Sequence, residues 1–391
     1  MNDSGAQTKL PSVGNQRVLE RAVCVPFLDL DPVHEALSEE ILGDIRALMA
    51  SGAFTNGTQV AEFEGEFARY CGTLFCVGVA SGLDALRLAL VAAGIQPGDE
   101  VVVPALTFAA TFEAVSQAGG RPVVVDVGEG DYCMESEEIQ ASISPRTRFL
   151  MPVHLYGQMA DIAALTEVAV RHDLLIVEDA CQAHGAVRDG RRAGTAGLAG
   201  AFSFYPTKNL GAMGDAGAVV TSDPELVERV RALREHGQLA KYGHELVGYT
   251  SRLDTIQALV LLRKLPFLDR WNNERRQAAR FYSESLAGIG DLRLPPVAEG
   301  SDPVWHLYVV RTSRRAGLER FLSDRGIGSG RHYPQPPHLS AAYEGLGLRS
   351  GAFPLSEALA GEVLSLPIFP GISERQLETV AAAIVAFFQR G

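Results

Sequence analysis

The sequence of 391 residues predicts an α/β protein: a large domain on a mostly parallel sheet and a smaller C-terminal α+β domain. Three observations predict it. Short, continuously apolar runs alternate with helical stretches up to about residue 250, the pattern of parallel strands covered on both faces. Beyond residue 251 the pattern changes to one long helical stretch followed by a shorter mixture of strands and helices. The chain is also too long for one simple core. Residues 1–22 read as a loose tail, 23–250 as the large domain, and 251–391 as a long connecting helix with the small domain.

The elements follow in order. VPFLDL (25–30) reads as a short extended segment and 33–49 as a helix. CVGVA (76–80) is a strand that leads into a helix over 83–93, stopped by Gly94. EVVVP is a strand closed by Pro104, and the helix over 109–117 ends before Gly119 and Gly120. PVVVDV, TRFLMPV and LLIVED are further strands, with a helix over 161–172 between the last two. Within AFSFYPTKNLGAMGDAGAVV (201–220) two apolar runs flank a glycine-rich turn. A helical stretch runs over 252–286 with a break at Pro266. WHLYVV (305–310) is a strand, 318–325 a helix, SLPIF a short strand and 375–388 a closing helix.

Composition narrows the functions. Apolar residues make up 47% and charged residues 21%, values of an ordinary globular protein. A net charge of -12 speaks against a nucleic-acid surface, which needs basic patches. No apolar run approaches a membrane span, and the polar start has no signal-peptide core. Cys24, Cys71, Cys76, Cys133 and Cys181 are scattered, without metal-ligand spacing, and read as reduced thiols of a cytoplasmic protein. No metal site is expected.

The chemistry gathers around Lys208. Its turn is small and glycine-rich, flanked by apolar runs, and the strand LLIVED ends upstream in Asp179. Most lysines are solvated surface groups, but this setting would desolvate the amine and keep it nucleophilic. A fixed lysine and an acid at a strand end are what a pyridoxal phosphate enzyme requires. The lysine forms a Schiff base, and the acid holds the pyridine nitrogen protonated. Strand alternation turns Glu178 to the opposite face from Asp179. Ser81 and Gly82 precede a helix, with Asp84 three residues beyond Ser81 in a capping-box arrangement that suits a phosphate. An ordinary capped helix would look the same. Ser203 is a second phosphate donor, Gln182 is placed to reach the ring's phenolic oxygen, and Phe108 can stack on the ring or serve as plain core.

Taken in order, the segments VPFLDL, YCGTLFCVGVASGLDALRLAL, PGDEVVVPALTFAAT, PVHLYGQMADI, VEDACQAHGA, FSFYPTKNLGAMGDAGAVVT, RHYPQPPHL and SLPIFP resemble the DegT/DnrJ/EryC1/StrS sugar aminotransferases. The resemblance spans nearly everything from Val25 onward and implies the aspartate aminotransferase type of fold (fold type I). It implies that Lys208 bears the cofactor, Asp179 pairs with the pyridinium, Gln182 meets the phenolic oxygen and Phe108 stacks. Gly82, Leu83 and Ser203 would bind the phosphate, with Leu83 standing where threonine is commoner. Thr250, in GYTSR, stands where relatives commonly place an asparagine that reaches the phosphate of the neighbouring subunit. Related sugar dehydratases carry histidine at the lysine position, so Lys208 favours transamination.

SGLDAL, PVHLYGQ and HGQLAKYGHELVGY are similar to enzymes that aminate C-3 of nucleotide-linked 3-keto-6-deoxyhexoses, which resemble homodimers with shared sites. The resemblance places the VPFLDL loop, Tyr205, His306, His332 and Tyr333 near the sugar nucleotide, whose phosphates would want donors such as Lys241, Arg252 or His332. His306 read from the residues alone is as well a satisfied core histidine, and His236, His244 and His338 fit helix ends or loops. The implied reaction moves an amino group from L-glutamate, or alternatively glutamine, to a dTDP-linked keto-sugar, with pyridoxamine phosphate as the intermediate form. Alternatives are a keto-cyclitol or aminohydroxybenzoate-type enzyme of the same family, or a non-catalytic regulatory homologue, against which Lys208, Asp179 and Ser203 count.

Overall fold

The computed structural model describes residues 25–240 and 242–390; the expected tail and Cys24 lie outside them. Seven strands form the central sheet: β1 (Phe75–Val79), β2 (Glu100–Pro104), β3 (Arg121–Val125), β4 (Thr147–Leu150), β5 (Leu175–Asp179), β6 (Ala199–Ser203) and β7 (Gly217–Thr221). Their order is β1-β7-β6-β5-β4-β2-β3. From β3 to β6 every pairing is parallel, and β7 runs antiparallel to both β6 and β1. The apolar runs predicted this, since β2 and β7 are buried along their whole length. Parallel neighbours need a crossover, whereas the direct link from β6 to β7 contains no helix and simply reverses the chain.

That reversal positions the chemistry. Asp179 pairs with Ala201 in the parallel register of β5 and β6, and Ser203 pairs with Gly217 across the turn. The glycine-rich link with Lys208 therefore emerges at the same sheet edge where β5 ends, the carboxyl edge at which open α/β sheets bind ligands. The helix Gly82–Ala92, fed by β1, packs across β6 and β7. One apolar core lies under each face of the sheet: Phe63, Phe67, Phe202 and Phe204 on one side, Leu86, Val103, Phe112 and Val219 on the other.

A third core gathers Tyr282, Tyr308, Val310, Leu364 and Ile384 around the antiparallel strands Tyr308–Arg311 and Val363–Leu366. Val25 belongs to it, through a bridge to Ile327.

The helix expected over 33–49 is two helices, Asp31–Glu35 and Ser38–Ser51, separated by a turn. The break at Pro266 is real: Thr255–Lys264 and Leu268–Ser285 are joined by a single tighter turn, Leu265–Phe267. Four helices were not anticipated, namely Thr58–Cys71, Pro224–Arg234, Pro354–Glu362 and the short Ser136–Ser142. The first carries a helical apolar stripe, with Val60, Phe63, Phe67 and Cys71 buried, and ends on the left-handed Gly72. The second announces itself by its Asp223 cap and Pro224. Among the described residues no helix is long and apolar enough to cross a membrane.

Candidate functional site

Asp179 sits at the last position of β5, buried, with its main chain locked on both sides. Its N–H donates to Pro152 O at 2.8 Å, and its carbonyl accepts from His154 N–H at 3.0 Å. Its carboxylate accepts from the Thr111 hydroxyl at 2.8 Å and from the Cys181 N–H at 3.2 Å. Glu178 faces away, as alternation requires. It accepts from His154 Nε2 at 2.8 Å and from the N–H groups of Gly194, Ala196 and Gly197. These donors hold the Glu178 carboxyl below its ordinary value despite full burial. Two adjacent acids thus have separate duties: one ties the strand to the loop behind it and the other faces the sheet edge.

Lys208 lies in the reversal between β6 and β7, its N–H closing a turn onto Tyr205 O at 2.8 Å. It is half-buried by exposed area, yet burial of the amine's surroundings lowers its affinity for a proton, with Asp179 and Cys181 opposing. The positive charge of Lys208 in turn depresses three neighbouring histidines. Burial chiefly, and then Lys208, brings His184 to about 3 and His332 to about 4, and pushes His306 well below the ordinary histidine value. The amine therefore stands among neutral rings and a single facing acid, Asp179.

The helix Gly82–Ala92 begins beside this group. The Ser81 hydroxyl accepts from the Asp84 N–H at 3.1 Å, but the reciprocal half of the expected capping box is missing. Asp84 instead pairs with Arg87 one turn on in the same helix and accepts from the Ser251 hydroxyl at 2.7 Å. A Cβ on Gly82 would lie 2.6 Å from Ser203 Cβ, so only glycine lets the helix start approach β6. Gly82, Leu83 and Ser203 consequently meet at one point: free helix N–H groups beside a hydroxyl, a cradle suited to a phosphate.

Gln182 bridges from this edge to the C-terminal region. Its Oε1 accepts from Tyr156 N–H at 2.8 Å and its Nε2 donates to the Tyr333 hydroxyl at 3.0 Å. Tyr333 packs against Phe108, with ring centroids 5.4 Å apart, and burial raises its hydroxyl's proton affinity. Phe108 is 54% exposed and so belongs to the open face of the site rather than to the core. His332 holds Ser365 through Nδ1 at 2.8 Å and stacks on Phe27.

His306 is buried, and its Nδ1 meets Asn209 Oδ1 at 3.2 Å, with Asn209 itself anchored to Asn272 and Val304 O. His306 is thereby tied to Asn209, the residue that follows the lysine. Tyr205 is exposed.

Not every predicted residue joins this group. Thr250 is exposed and its hydroxyl meets the His236 ring, at 3.2 Å from Nε2, while Arg252 pairs with Glu235 at 2.9 Å. Lys241 lies outside the described residues. Thr107, Thr111, Tyr156 and Asn209 are the residues that sequence reasoning missed. Their types carry no signal, although Thr107 and Thr111 flank Phe108 in PALTFAAT.

The sequence pattern of the DegT/DnrJ/EryC1/StrS aminotransferase family matches residues 35–385. The chain is 50% identical over 366 residues to dTDP-3-amino-3,4,6-trideoxy-alpha-D-glucose transaminase of Streptomyces venezuelae, covering 94% of this chain and 97% of that one. It is also similar to the crystal structure of S. venezuelae DesV in complex with a ketimine intermediate: TM-score 0.92, 50% identity, 94% of this chain and 99% of that one. NtdA of Bacillus subtilis, solved with bound PMP, gives a TM-score of 0.86 at 30% identity, over 94% of this chain and 86% of that one. With a family match along almost the whole sequence and the same fold in its relatives, the chain belongs to the DegT/DnrJ/EryC1/StrS aminotransferases.

Proposed function

We propose that the protein transfers an amino group from L-glutamate to a dTDP-linked keto-deoxysugar, a 3-keto-6-deoxyhexose, in deoxyamino-sugar biosynthesis. The observation that carries the reading is the desolvated Lys208 amine facing the buried, twice-donated Asp179 carboxylate. The sugar class rests on the 50% identity to the Streptomyces venezuelae transaminase named above. The residues fit pyridoxal 5′-phosphate. The Gly82 approach leaves a donor cradle for its phosphate, Asp179 can hold its ring nitrogen, and Gln182 and Phe108 flank the ring position.

When bound, the cofactor supplies an electron sink that stores the donor's nitrogen between two half-reactions. The protein does the rest. Lys208 would hold the cofactor covalently, and its amine, when free, is placed to move a proton as both base and acid. Burial of its surroundings lowers its proton affinity, which favours the free-amine form relative to an exposed lysine. Asp179 would keep the ring cationic, Gly82, Leu83 and Ser203 would hold the phosphate, and Phe108 would cover one ring face. Tyr205, His306, His332 and Tyr333, with Lys241 supplying a cation, are assigned to the sugar nucleotide.

We assign residues 23–250 to the cofactor-binding domain and 251–391 to the smaller one. We further propose a cytoplasmic homodimer in which Thr250 serves the partner's phosphate site. Leu239, Leu246 and Val247, the last 93% exposed, are apolar residues left open in the segment ahead of Thr250, which supports an interface there.

The decisive experiment incubates the protein with pyridoxal phosphate, glutamate and a panel of dTDP-keto-sugars and keto-cyclitols, with product identified by mass spectrometry. An amino-dTDP-sugar formed with equimolar 2-oxoglutarate is expected. Amination of the keto-cyclitols alone would overturn the sugar-nucleotide reading.

A further inference from the structure

We infer that the Thr107–Thr111 hydroxyl pair is a positioning device for the Asp179 carboxylate and, through it, sets how firmly the cofactor's ring nitrogen keeps its proton. The inference rests on the reading of the site proposed above. Both hydroxyls are buried, each residue being 1% exposed. An ionised carboxylate only accepts, so in the 2.8 Å contact the Thr111 hydroxyl is the donor and Asp179 Oδ2 the acceptor. Its one proton is then committed. In the 2.7 Å contact between Thr107 and Thr111, Thr107 must donate. The direction of the chain is fixed by the charge at its end: Thr107 to Thr111 to Asp179.

Inside a helix a threonine hydroxyl can turn back to a carbonyl three or four residues earlier. Thr111 lies in the first turn of the helix Ala109–Gln117, where the residue four back is outside the helix, and its hydroxyl accepts from Thr107 while its proton crosses to β5. The other carboxylate oxygen, Oδ1, accepts from Cys181 N–H at 3.2 Å. Two donors from different segments therefore pin the otherwise soft rotation of the carboxylate plane. Hydrogen-bonded chains also polarise one another in a low-dielectric site.

The chemical consequence follows from the sign. Donors to a carboxylate stabilise its ionised form. With them in place, the proton shared between Asp179 and the ring stays on the ring nitrogen. Without the Thr111 hydroxyl the carboxylate gains proton affinity and rotational freedom, the ring loses positive charge, and proton removal from the bound donor slows.

The test uses holoenzyme reconstituted with cofactor labelled with 15N at the ring nitrogen, comparing wild type with Thr111→Val, Thr111→Ser and Thr107→Val. Thr111→Val keeps the volume and deletes the hydroxyl. It should move the ring 15N resonance toward the neutral pyridine position and lower kcat about ten- to hundredfold, the worth of a buried hydrogen bond to a charge. KM for glutamate should change less than about threefold. Thr111→Ser should restore both, and Thr107→Val, which leaves the contact with Asp179 intact, should shift the resonance the same way by less. An unchanged resonance and kcat in Thr111→Val, or a serine variant that fails to restore them, overturns the inference while the assignment of Lys208 and Asp179 stands. Wild-type protein that takes up no cofactor overturns both.

Discussion

Lys208 is reactive because of what surrounds it. Its amine is desolvated, its nearest acid is occupied by two other donors, and its neighbouring imidazoles stay neutral. Lys208→Ala should keep a cooperative unfolding transition but lower turnover at least about a thousandfold, since both covalent attachment and a proton-transfer contribution of about 10²–10⁴ are lost. Intact-mass analysis after borohydride treatment should find the cofactor on wild type and not on the variant. Wild-type turnover in the variant would end the assignment of the lysine.

The same cluster gives a pH signature. His184, His306 and His332 have folded values depressed below the ordinary 6.5, to about 3 and about 4 for the first and last. Above pH 6.5 neither folded nor unfolded chain protonates them, and their contribution to stability is fully present. As pH falls below 6.5 the unfolded chain binds protons that the folded one refuses, and stability drops by about 1.4 kcal/mol per pH unit for each such group. Glu178 and Glu357, also depressed, act only at lower pH. Urea midpoints of the apoprotein should therefore decline between pH 6.5 and 5, and His184→Gln, which can still donate to Ser203 O, should flatten the decline. A midpoint independent of pH across that window would contradict the burial of these rings.

At the scale of elements, the phosphate cradle depends on how closely a helix start and two strands approach. A Cβ on Gly217 would lie 2.3 Å from the carbonyl carbon and oxygen of Ser81 and 2.8 Å from Gly82 N, all main-chain atoms that have nowhere to go. Gly217→Ala should thus displace the first turn of the helix Gly82–Ala92 at a strain of about 1–3 kcal/mol. Cofactor affinity should weaken about ten- to hundredfold, measured by fluorescence titration. Undiminished affinity would place the phosphate elsewhere. The strands and the helix feeding this edge were legible because their apolar runs are continuous and their glycines punctuate them. The helix Thr58–Cys71 was not, although its stripe is regular, because Gly57 offers no side-chain cap to mark its start.

At the level of the whole molecule, the helix Leu268–Ser285 links one of the two sheet cores to the C-terminal core. Arg275 on that helix is fully enclosed. One guanidinium nitrogen donates to the carbonyls of Trp305, His306 and Ile368, and burial lowers the group to about 10. This side chain helps to hold the segment that presents His306, together with Arg276 on Pro303 O and Asn209 on Val304 O. Arg275→Leu leaves three buried carbonyls without a donor and should cost at least about 2 kcal/mol in urea unfolding. A cost near zero would show that the segment is held by other contacts. Association belongs to the same scale: sedimentation equilibrium should return the mass of two chains, and a monomer with full activity would remove Thr250 from any shared site.

The sequence by itself determined the alternating layers, the lysine in its reversal, the acid at the strand end and the glycine at the helix start. Each of these is a local consequence of residue type and periodicity. Only the tertiary structure decided which side chains serve that acid and that lysine. Thr111 and Asp179 are 68 positions apart, Gln182 and Tyr333 are 151 apart, and His306 and Asn209 are 97 apart. Hydrogen bonds at such separations follow from strand order and crossover geometry, which bring together residues whose own neighbourhoods in the chain carry no trace of one another.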